Sequence, residues 1–357
     1  VSTIGLGAAV PLPATGVSDR PLGPVSIKDV AKAAGVAQGT VSNVLNHPER
    51  VAAARRARVL EAIDALGFVR NESARQLRAG SSRTLGLLLM DVWNPFFTEM
   101  ARGIEDFTAE RGWTILTSNS ARRADREAAY FKLFAERRVE GVLVAPVGPF
   151  AEQVDNLKKK GIACIVIDQA DLRPGAMSVS MDNLRGGRLA AEHLVALGCR
   201  RIALVGSPSR VTQVKERVDG AGAVFSQAAP GISTRLWEPE DLTISAGRLM
   251  GEQIVNQHPD DRPDAIFACS DLLAIGIMRV LIDHHIKVPQ EIAIVGYDDN
   301  EFAREMAIPL TTVRQPAYDI GVVAARMLTA HIGGESIEES RVVFTPKLIV
   351  RASTVMQ

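Results

Sequence analysis

The side chains best suited to chemistry in this sequence stand just past apolar runs. Asp91, Trp93, Phe96 and Phe97 follow the strand-like run Leu85–Met90. Asp168 follows Ile162–Ile167, Ser270 follows Ala265–Ala268, and Asp298 follows Ile292–Val295. Ligands of open α/β sheets bind outside the carboxyl ends of the strands, so these positions predict a binding cleft. Carboxylates and hydroxyls there would exchange hydrogen bonds with a ligand, and aromatic rings would stack on a sugar face or a heterocycle. For Phe96 and Phe97 the alternative is that they seat the next helix, which is expected of one of the two. The pattern does not suit bond making. The six histidines do not cluster, and His284-His285 reads as a cap at a helix C-terminus. There is no zinc spacing, P-loop, nucleophile elbow or acid/base pair, and Gly186-Gly187 lacks the GxGxxG dinucleotide pattern. No enzyme activity, metal or cofactor is expected. Cys164, Cys199 and Cys269 are odd in number and far apart, which predicts buried thiols rather than disulfides.

Periodicity supplies the elements that would position these residues. Thr114–Leu116, Gly141–Val144 and Ile202–Val205 are further strand candidates, and helical stretches lie between the runs. One is Arg185–Leu197, with Leu189, His193, Leu194 and Leu197 on one face and Gly198 as its stop. Continuous apolar strands alternating with helices indicate parallel sheets covered on both faces. There are too many strands for one lobe, so two α/β lobes are expected.

The N-terminal part reads differently. Ser26-Ile27-Lys28-Asp29 forms a capping-box-like helix start, Ile27, Val30, Ala31 and Ala34 mark one face, and Gly35 breaks the helix. A second helix runs from Ala37 to Leu45 with Val41, Val44 and Leu45 inward. Two short helices joined by a tight glycine turn make a helix-turn-helix. A third helix over 52–66 has Val59, Ile63 and Leu66 on its core face and ends at Gly67. The basic stretch Asn71–Arg78 and the linker-like Ala79–Ser82 read as a hinge. The whole chain balances 41 Lys+Arg against 41 Asp+Glu, but residues 25–80 hold nine basic against five acidic residues. A basic module on a mildly acidic body points to a nucleic-acid partner.

Several segments together are similar to the lactose repressor/galactose repressor (LacI/GalR) family. They are Ser26-Ile27-Lys28-Asp29-Val30-Ala31, Ala34-Gly35-Val36, Thr40-Val41-Ser42, Val44-Leu45-Asn46, Asn71-x-x-Ala74-Arg75-x-Leu77, Asp91-x-x-Asn94-Pro95-Phe96-Phe97 and Gly296-Tyr297-Asp298-Asp299. The match is dense and in order, and covers everything after the N-terminal tail. It implies an all-α helix-turn-helix DNA-binding domain plus an α/β two-lobed periplasmic-binding-protein-like core with parallel sheets. The expected divisions are a disordered tail at 1–24, the DNA-binding domain at 25–70, a hinge helix and linker at 71–83, and the core at 84–357. Within the core, the N-lobe would comprise 84–182 and 317–341, and the C-lobe 183–316 and 342–357.

The resemblance also assigns roles. The second helix would lie in the major groove, exposing Gln38, Gly39, Thr40 and Asn43 to base edges. Thr40, Ser42 and Asn46 would hydrogen-bond phosphates and fix register. The hinge would bring Ala74, Leu77 and Arg78 to the minor groove, with Leu77 as a wedge whose unstacking cost of a few kcal/mol is offset by closer wrapping; packing onto the core is the alternative for Leu77. Arg217, in Glu216-Arg217-x-x-Gly220, matches the family's ligand-binding arginine. Asp168 and Asp298 match ligand-facing positions, and Gln315 lies near a crossover within reach of the cleft. Buried carboxylates and an arginine are costly unless satisfied. A polyhydroxylated ligand offers several donors and acceptors at once, so a sugar or sugar derivative is expected, with a nucleobase or a phosphorylated protein corepressor as alternatives.

A homodimer on near-palindromic double-stranded operator DNA follows from the same logic. A dimer rather than a tetramer is expected because no apolar heptad follows Arg351 before Gln357. The tail has no basic n-region and no apolar run reaches the ~18 residues that span a bilayer, so a cytoplasmic protein without membrane contact is expected. The competing reading is a transport-type sugar-binding protein without a DNA role. Some positions depart from the family pattern. Ala37 and Ala52 stand where serines commonly cap helices, Asn43 replaces a common arginine, and Gly39 leaves a helix position bare. These departures bear on which operator is read.

Overall fold

The computed structural model describes residues 25–69, 82–207, 209, 211–228 and 231–355, in two units that divide between Gly80 and Ser81. The first unit contains helices α1 (Ile27–Ala34), α2 (Gln38–Asn46) and α3 (Ala53–Leu66). Asp29 accepts from both the backbone and the hydroxyl of Ser26, at 2.9 and 2.6 Å, so the reciprocal cap read from sequence forms. Gly35 and Gly67 end their helices in the left-handed region, at φ 61° and 62°. Ala37 and Ala52 give no side-chain cap, and lost caps of this kind typically cost ~1 kcal/mol each. Val30, Ala31, Ala34, Val41, Val44, Val59 and Ala62 form the buried centre. Ile63 and Leu66 are only partly buried against it, so α3 turns Ala62 inward instead.

The second unit carries two six-stranded sheets. The first contains β1 (Thr84–Leu89), β2 (Thr114–Asn119), β3 (Gly141–Val144), β4 (Ala163–Ile167), β5 (Met177–Met181) and β11 (Arg341–Phe344), in the order β11-β5-β4-β3-β1-β2. The second contains β6 (Arg201–Val205), β7 (Ser233–Trp237), β8 (Ala265–Ala268), β9 (Ala293–Asp298), β10 (Thr311–Arg314) and β12 (Lys347–Ile349), in the order β12-β10-β9-β8-β6-β7. Every pairing is parallel except β10 with the edge strand β12.

Alternation explains why the strands read as unbroken apolar runs. Leu85, Leu87, Leu89, Leu143 and Ile165 point into one cluster, with α4 (Pro95–Ala109) and α12 (Ala317–Ile332). Leu88, Val142, Val144, Cys164 and Val166 point into another, with α5 (Ala124–Glu136) and α6 (Ala151–Lys159). Both faces are dry, so both are mainly apolar. The second lobe packs α7 (Asn183–Ala196), α8 (Thr212–Gln227), α9 (Ile244–Val255) and α10 (Asp271–Asp283) about its sheet, with the short α11 (Glu301–Arg304) after β9.

The chain crosses between the lobes after β5, after β10, and between β11 and β12. The boundary expected at 341/342 is corrected: it would cut β11, whose whole length pairs with β5 from Arg341 to Phe344. The shift arises because β11 is half exposed and its apolar pattern is too short to mark an end.

Glycines let paired helices meet backbone to backbone. A Cβ on Gly187 of α7 would lie 2.0 Å from the Arg217 carbonyl oxygen on α8, and one on Gly220 of α8 would lie 2.1 Å from that of Leu184. The Gly186-Gly187 pair therefore serves packing. Among the described residues no helix is long and apolar enough to cross a membrane.

Candidate DNA-reading helix and effector cleft

On α2, Gln38, Gly39, Asn43 and Asn46 are exposed, Thr40 and Ser42 are half-buried, and Val41 and Val44 lie underneath. The helix thus presents a polar, uncharged face. Nothing lies within 4 Å of where a Gly39 Cβ would be. Asn46 donates to the Ser42 carbonyl at 2.8 Å and to its hydroxyl at 3.3 Å, which fixes both side chains at the helix end. On α3, Arg55, Arg56 and Arg58 are exposed, a basic face that the reading by motif passed over. Ala74, Leu77 and Arg78 lie outside the described residues.

In the second unit the carboxyl ends of the strands converge on one buried polar cluster. Asp168, directly after β4, and Asp298, ending β9, adopt positive φ values of 66° and 124°. Such strain in residues other than glycine is concentrated at ligand clamps and similar sites. Asp168, Arg217 and Asp298 are 4%, 6% and 5% exposed. Arg217 donates through Nε to Asn183 Oδ1 at 2.9 Å and through Nη1 to the Cys269 carbonyl at 2.8 Å. Its Nη1 lies 3.9 Å from Asp298 Oδ1, and its guanidinium stacks 3.8 Å over the Tyr297 ring. Asp298 accepts from Gln315 Nε2 at 2.7 Å, from Ser270 Oγ at 3.4 Å, and from the Asn94 side chain. Gln213 Nε2 donates to Asp168 Oδ2 at 2.9 Å and to its carbonyl at 3.1 Å.

Two of these links, Gln213 to Asp168 and Asn94 to Asp298, bridge the two lobes. Behind the cluster, Asp271 accepts from Thr312 Oγ1 at 2.6 Å and from Asn300 N at 3.0 Å, which holds the loop carrying Asp298.

Burial dominates the electrostatics. It pushes the Asp168 carboxyl up to about 7 against the opposing pull of Arg217, with Asp298 pushing the same way. Burial raises Asp298 as well, while Arg217, Gln315, Asn94 and Ser270 act to keep it ionised. The buried Cys269 thiol is raised to about 12 and is inert as a nucleophile at neutral pH.

Of the residues expected in the cleft, Asp168, Arg217, Ser270, Asp298 and Gln315 come together. The other four are placed differently. Phe96 and Phe97 lie in the first-lobe core, edge to face with ring centroids 5.1 Å apart, and both seat α4. Trp93 is 83% exposed and does not join the cluster, a correction to its expected stacking role; the turn after β1 points it outward while Asp91 holds its N–H at 2.9 Å. Asp91 instead meets Arg122 at 3.1 Å, and Arg122 also pairs with Asp241 of the second lobe. This rim borders a cavity of about 260 Å³ between Met90, Arg122 and Val147 of one lobe and Ser207, Val211 and Leu242 of the other.

Reasoning from strand ends missed Asn94, Asn183, Gln213 and Tyr297. Gln213 and Arg217 could have been found as a polar pair four residues apart on the inward face of one helix.

A helix-turn-helix module in the same chain as a two-lobed cleft protein defines a ligand-controlled transcription regulator. Residues 26–71 match the model for bacterial regulatory proteins of the lacI family, and 191–354 match a periplasmic binding protein-like domain. The ribose operon repressor of Bacillus subtilis (strain 168) is 32% identical over 329 residues, covering 92% of this chain and 98% of that protein. The HTH-type transcriptional repressor PurR of Aliivibrio fischeri (strain MJ11) is 29% identical over 330 residues, with 92% and 98% coverage. Among solved structures, the lac repressor dimer bound to operator and the anti-inducer ONPF superposes with a TM-score of 0.78 at 25% identity, covering 94% of this chain and all of that one. A LacI family regulator from Enterococcus faecium with bound ribose gives 0.68 at 27% identity, covering 76% and 98%. The chain belongs to the LacI family of bacterial regulatory proteins and is a transcriptional regulator rather than an enzyme.

Proposed function

We propose that this regulator represses transcription from a near-palindromic operator as a homodimer, and that a small polyhydroxylated effector of the sugar class, held between the lobes, sets its DNA affinity. The observation that carries the reading is the meeting of Asp168, Arg217, Asp298 and Gln315 between two lobes in a chain that also carries a helix-turn-helix. Related proteins bound to operator and to ribose support it. Coupling follows if the effector binds one lobe arrangement better than another, because Gln213–Asp168 and Asn94–Asp298 both span the cleft. The test is gel-shift titration against an operator selected from random DNA, with and without D-ribose and hypoxanthine. A sugar that shifts the midpoint supports the reading; a response to the purine alone, or to neither, overturns the sugar assignment.

The exposed face of α2 yields a specificity prediction. Asparagine presents one donor and one acceptor, which match adenine N7 and N6 respectively, whereas arginine grips guanine O6 and N7. The half-site position facing Asn43 is expected to prefer A·T. Asn43→Arg is expected to move one symmetric pair of positions towards guanine by ~1–3 kcal/mol per contact. Binding-site selection with both proteins checks this, and an unaltered preference at every position would show that Asn43 reads no base.

A further inference from the structure

We propose that the cleft selects a neutral polyol over any phosphorylated or carboxylated form of it, and that taking up the polyol drives a proton off Asp168. This rests on the sugar-class reading above and goes on to fix the charge of the ligand.

The first observation is which polar atoms the fold leaves over. In the Arg217 cluster, the buried side-chain atoms without a protein partner are Asp168 Oδ1 and Gln315 Oε1, both acceptors. Gln315 Nε2 spends one of its two hydrogens on Asp298 Oδ1, which turns the carbonyl oxygen of the same amide away from that carboxylate. At the rim, the unpartnered atom is a donor, Arg122 Nε. A ligand that satisfies these two acceptors must donate to both, and at the rim an oxygen lone pair suffices. Hydroxyl groups do both. Phosphate and carboxylate oxygens at neutral pH mostly accept, and would leave the two acceptors facing more acceptors.

The second observation is charge. Each arginine of the cleft already has carboxylates beside it: Arg122 has Asp91 and Asp241, and Arg217 has Asp298, with Asp168 acting on it as well. Even with a proton on Asp168, three acids stand beside two arginines, so no cation is left over for an anionic ligand. Bringing a further negative charge into this buried site would force a carboxyl to protonate.

The proton follows from the same geometry. Asp168 faces Arg217 and Gln213 on α8, Asp298 at the end of β9, and Glu216 on α8. Its Oδ2 is held by Gln213 and its Oδ1 is bare. Asp298, by contrast, has Arg217, Gln315, Asn94 and Ser270 to favour its charge. Of these two carboxyls, Asp168 therefore has the fewer donors to hold it ionised. A ligand hydroxyl donating to Oδ1 favours the carboxylate, since hydrogen bonds to an ionised acceptor are the stronger ones. The proton leaves to solvent and the hydroxyl keeps its own.

The linkage has a definite sign. With the free carboxyl near 7, polyol affinity is highest at pH 8 and falls about tenfold by pH 6, because the carboxyl must first lose its proton. An anionic ligand has the opposite slope. The experiment is calorimetry on the full-length protein from pH 6 to 8, in buffers of different ionisation enthalpy. The probes are D-ribose, D-xylose and D-glucose, beside ribose 5-phosphate, glucose 6-phosphate and glucuronate. The expected result is a neutral sugar preferred at least 100-fold over its anionic form, with buffer-dependent heat showing proton release. Asp168→Asn is expected to weaken neutral-sugar binding at pH 8 by about 10- to 100-fold, as for a hydrogen bond to a charged group, and to flatten the pH profile. An anionic probe binding as tightly as its neutral form overturns the proposal but leaves the sugar-class reading standing. A neutral sugar bound with no pH dependence overturns the proton step. Binding of none of the probes overturns both proposal and reading.

Discussion

Arg217→Ala is expected to weaken effector binding by about 100-fold or more and to abolish the effector's influence on operator binding. The guanidinium organises three neighbours at once, the Asn183 side-chain oxygen, the Cys269 backbone carbonyl and the Tyr297 ring. Those contacts hold the fork in place, and a 100-fold loss, about 2.7 kcal/mol, corresponds to one lost hydrogen bond between the guanidinium and the effector. Arg217→Lys is not expected to rescue, because an ammonium lacks the planar fork that reaches Asn183 and Cys269 together.

The variant also loses stability, and the loss depends on pH. Without Arg217, Asp168 and Asp298 face each other in a buried site with no cation between them, and both carboxyls rise further above the unfolded value of about 3.9. A carboxyl that binds its proton more tightly when folded stabilises the fold below its unfolded pKa. That contribution is lost as pH climbs towards the folded pKa. The melting temperature of the variant is therefore expected to fall further below wild type at pH 8 than at pH 6, within a ceiling of ~3–5 kcal/mol for removing one partner of a buried charge pair. Calorimetry and thermal melts at both pH values check this. Wild-type affinity for the effector, or a stability deficit that does not change with pH, would refute the role assigned to Arg217.

Gly187→Val is expected to be more damaging to the fold than any substitution on the exposed face of α7. Its Cβ would meet the Arg217 carbonyl oxygen at 2.0 Å, and that oxygen is backbone and cannot swing aside. Helix α8 would have to move away, and α8 carries Gln213 and Arg217. Overpacking of this kind costs ~1–3 kcal/mol or more, so the melting temperature drops and effector affinity falls with it. Gly222→Val on the same helix pair is the control, since nothing lies within 4 Å of its Cβ position. Equal stability of the two variants would mean that the α7–α8 contact does not set the position of α8.

The N-terminal module was largely legible in the sequence because its signals are local. The Ser26–Asp29 cap, the left-handed Gly35 and Gly67, and the spacing of Val30, Ala34, Val41 and Val44 are each fixed within a few residues. The central strands were equally clear, Gly141–Val144 and Ala265–Ala268 to the residue, since strands dry on both faces run mainly to apolar side chains. Edge and crossover strands were not. β7, β11 and β12 are mostly exposed or half-buried, so their composition carries no apolar run, and β5 and β10 bury Ser178, Ser180, Thr311 and Thr312 through partners far along the chain.

The same division holds for the site. Sequence alone placed Asp168, Ser270 and Asp298 at strand ends, the family resemblance added Arg217, and nearness to a crossover added Gln315. It could not tell that Asp91 would turn to Arg122 and Trp93 to solvent, because strand-end position fixes a residue's neighbourhood but not the direction of its side chain. Nor could it find Asn94, Asn183, Gln213 and Tyr297, which reach the cluster only when two lobes and helices distant in sequence close on one another. Local spacing determined which residues could take part. Tertiary packing decided which of them share a buried space, where each charge must find a partner or give up its proton, and so which atoms were left to face a ligand.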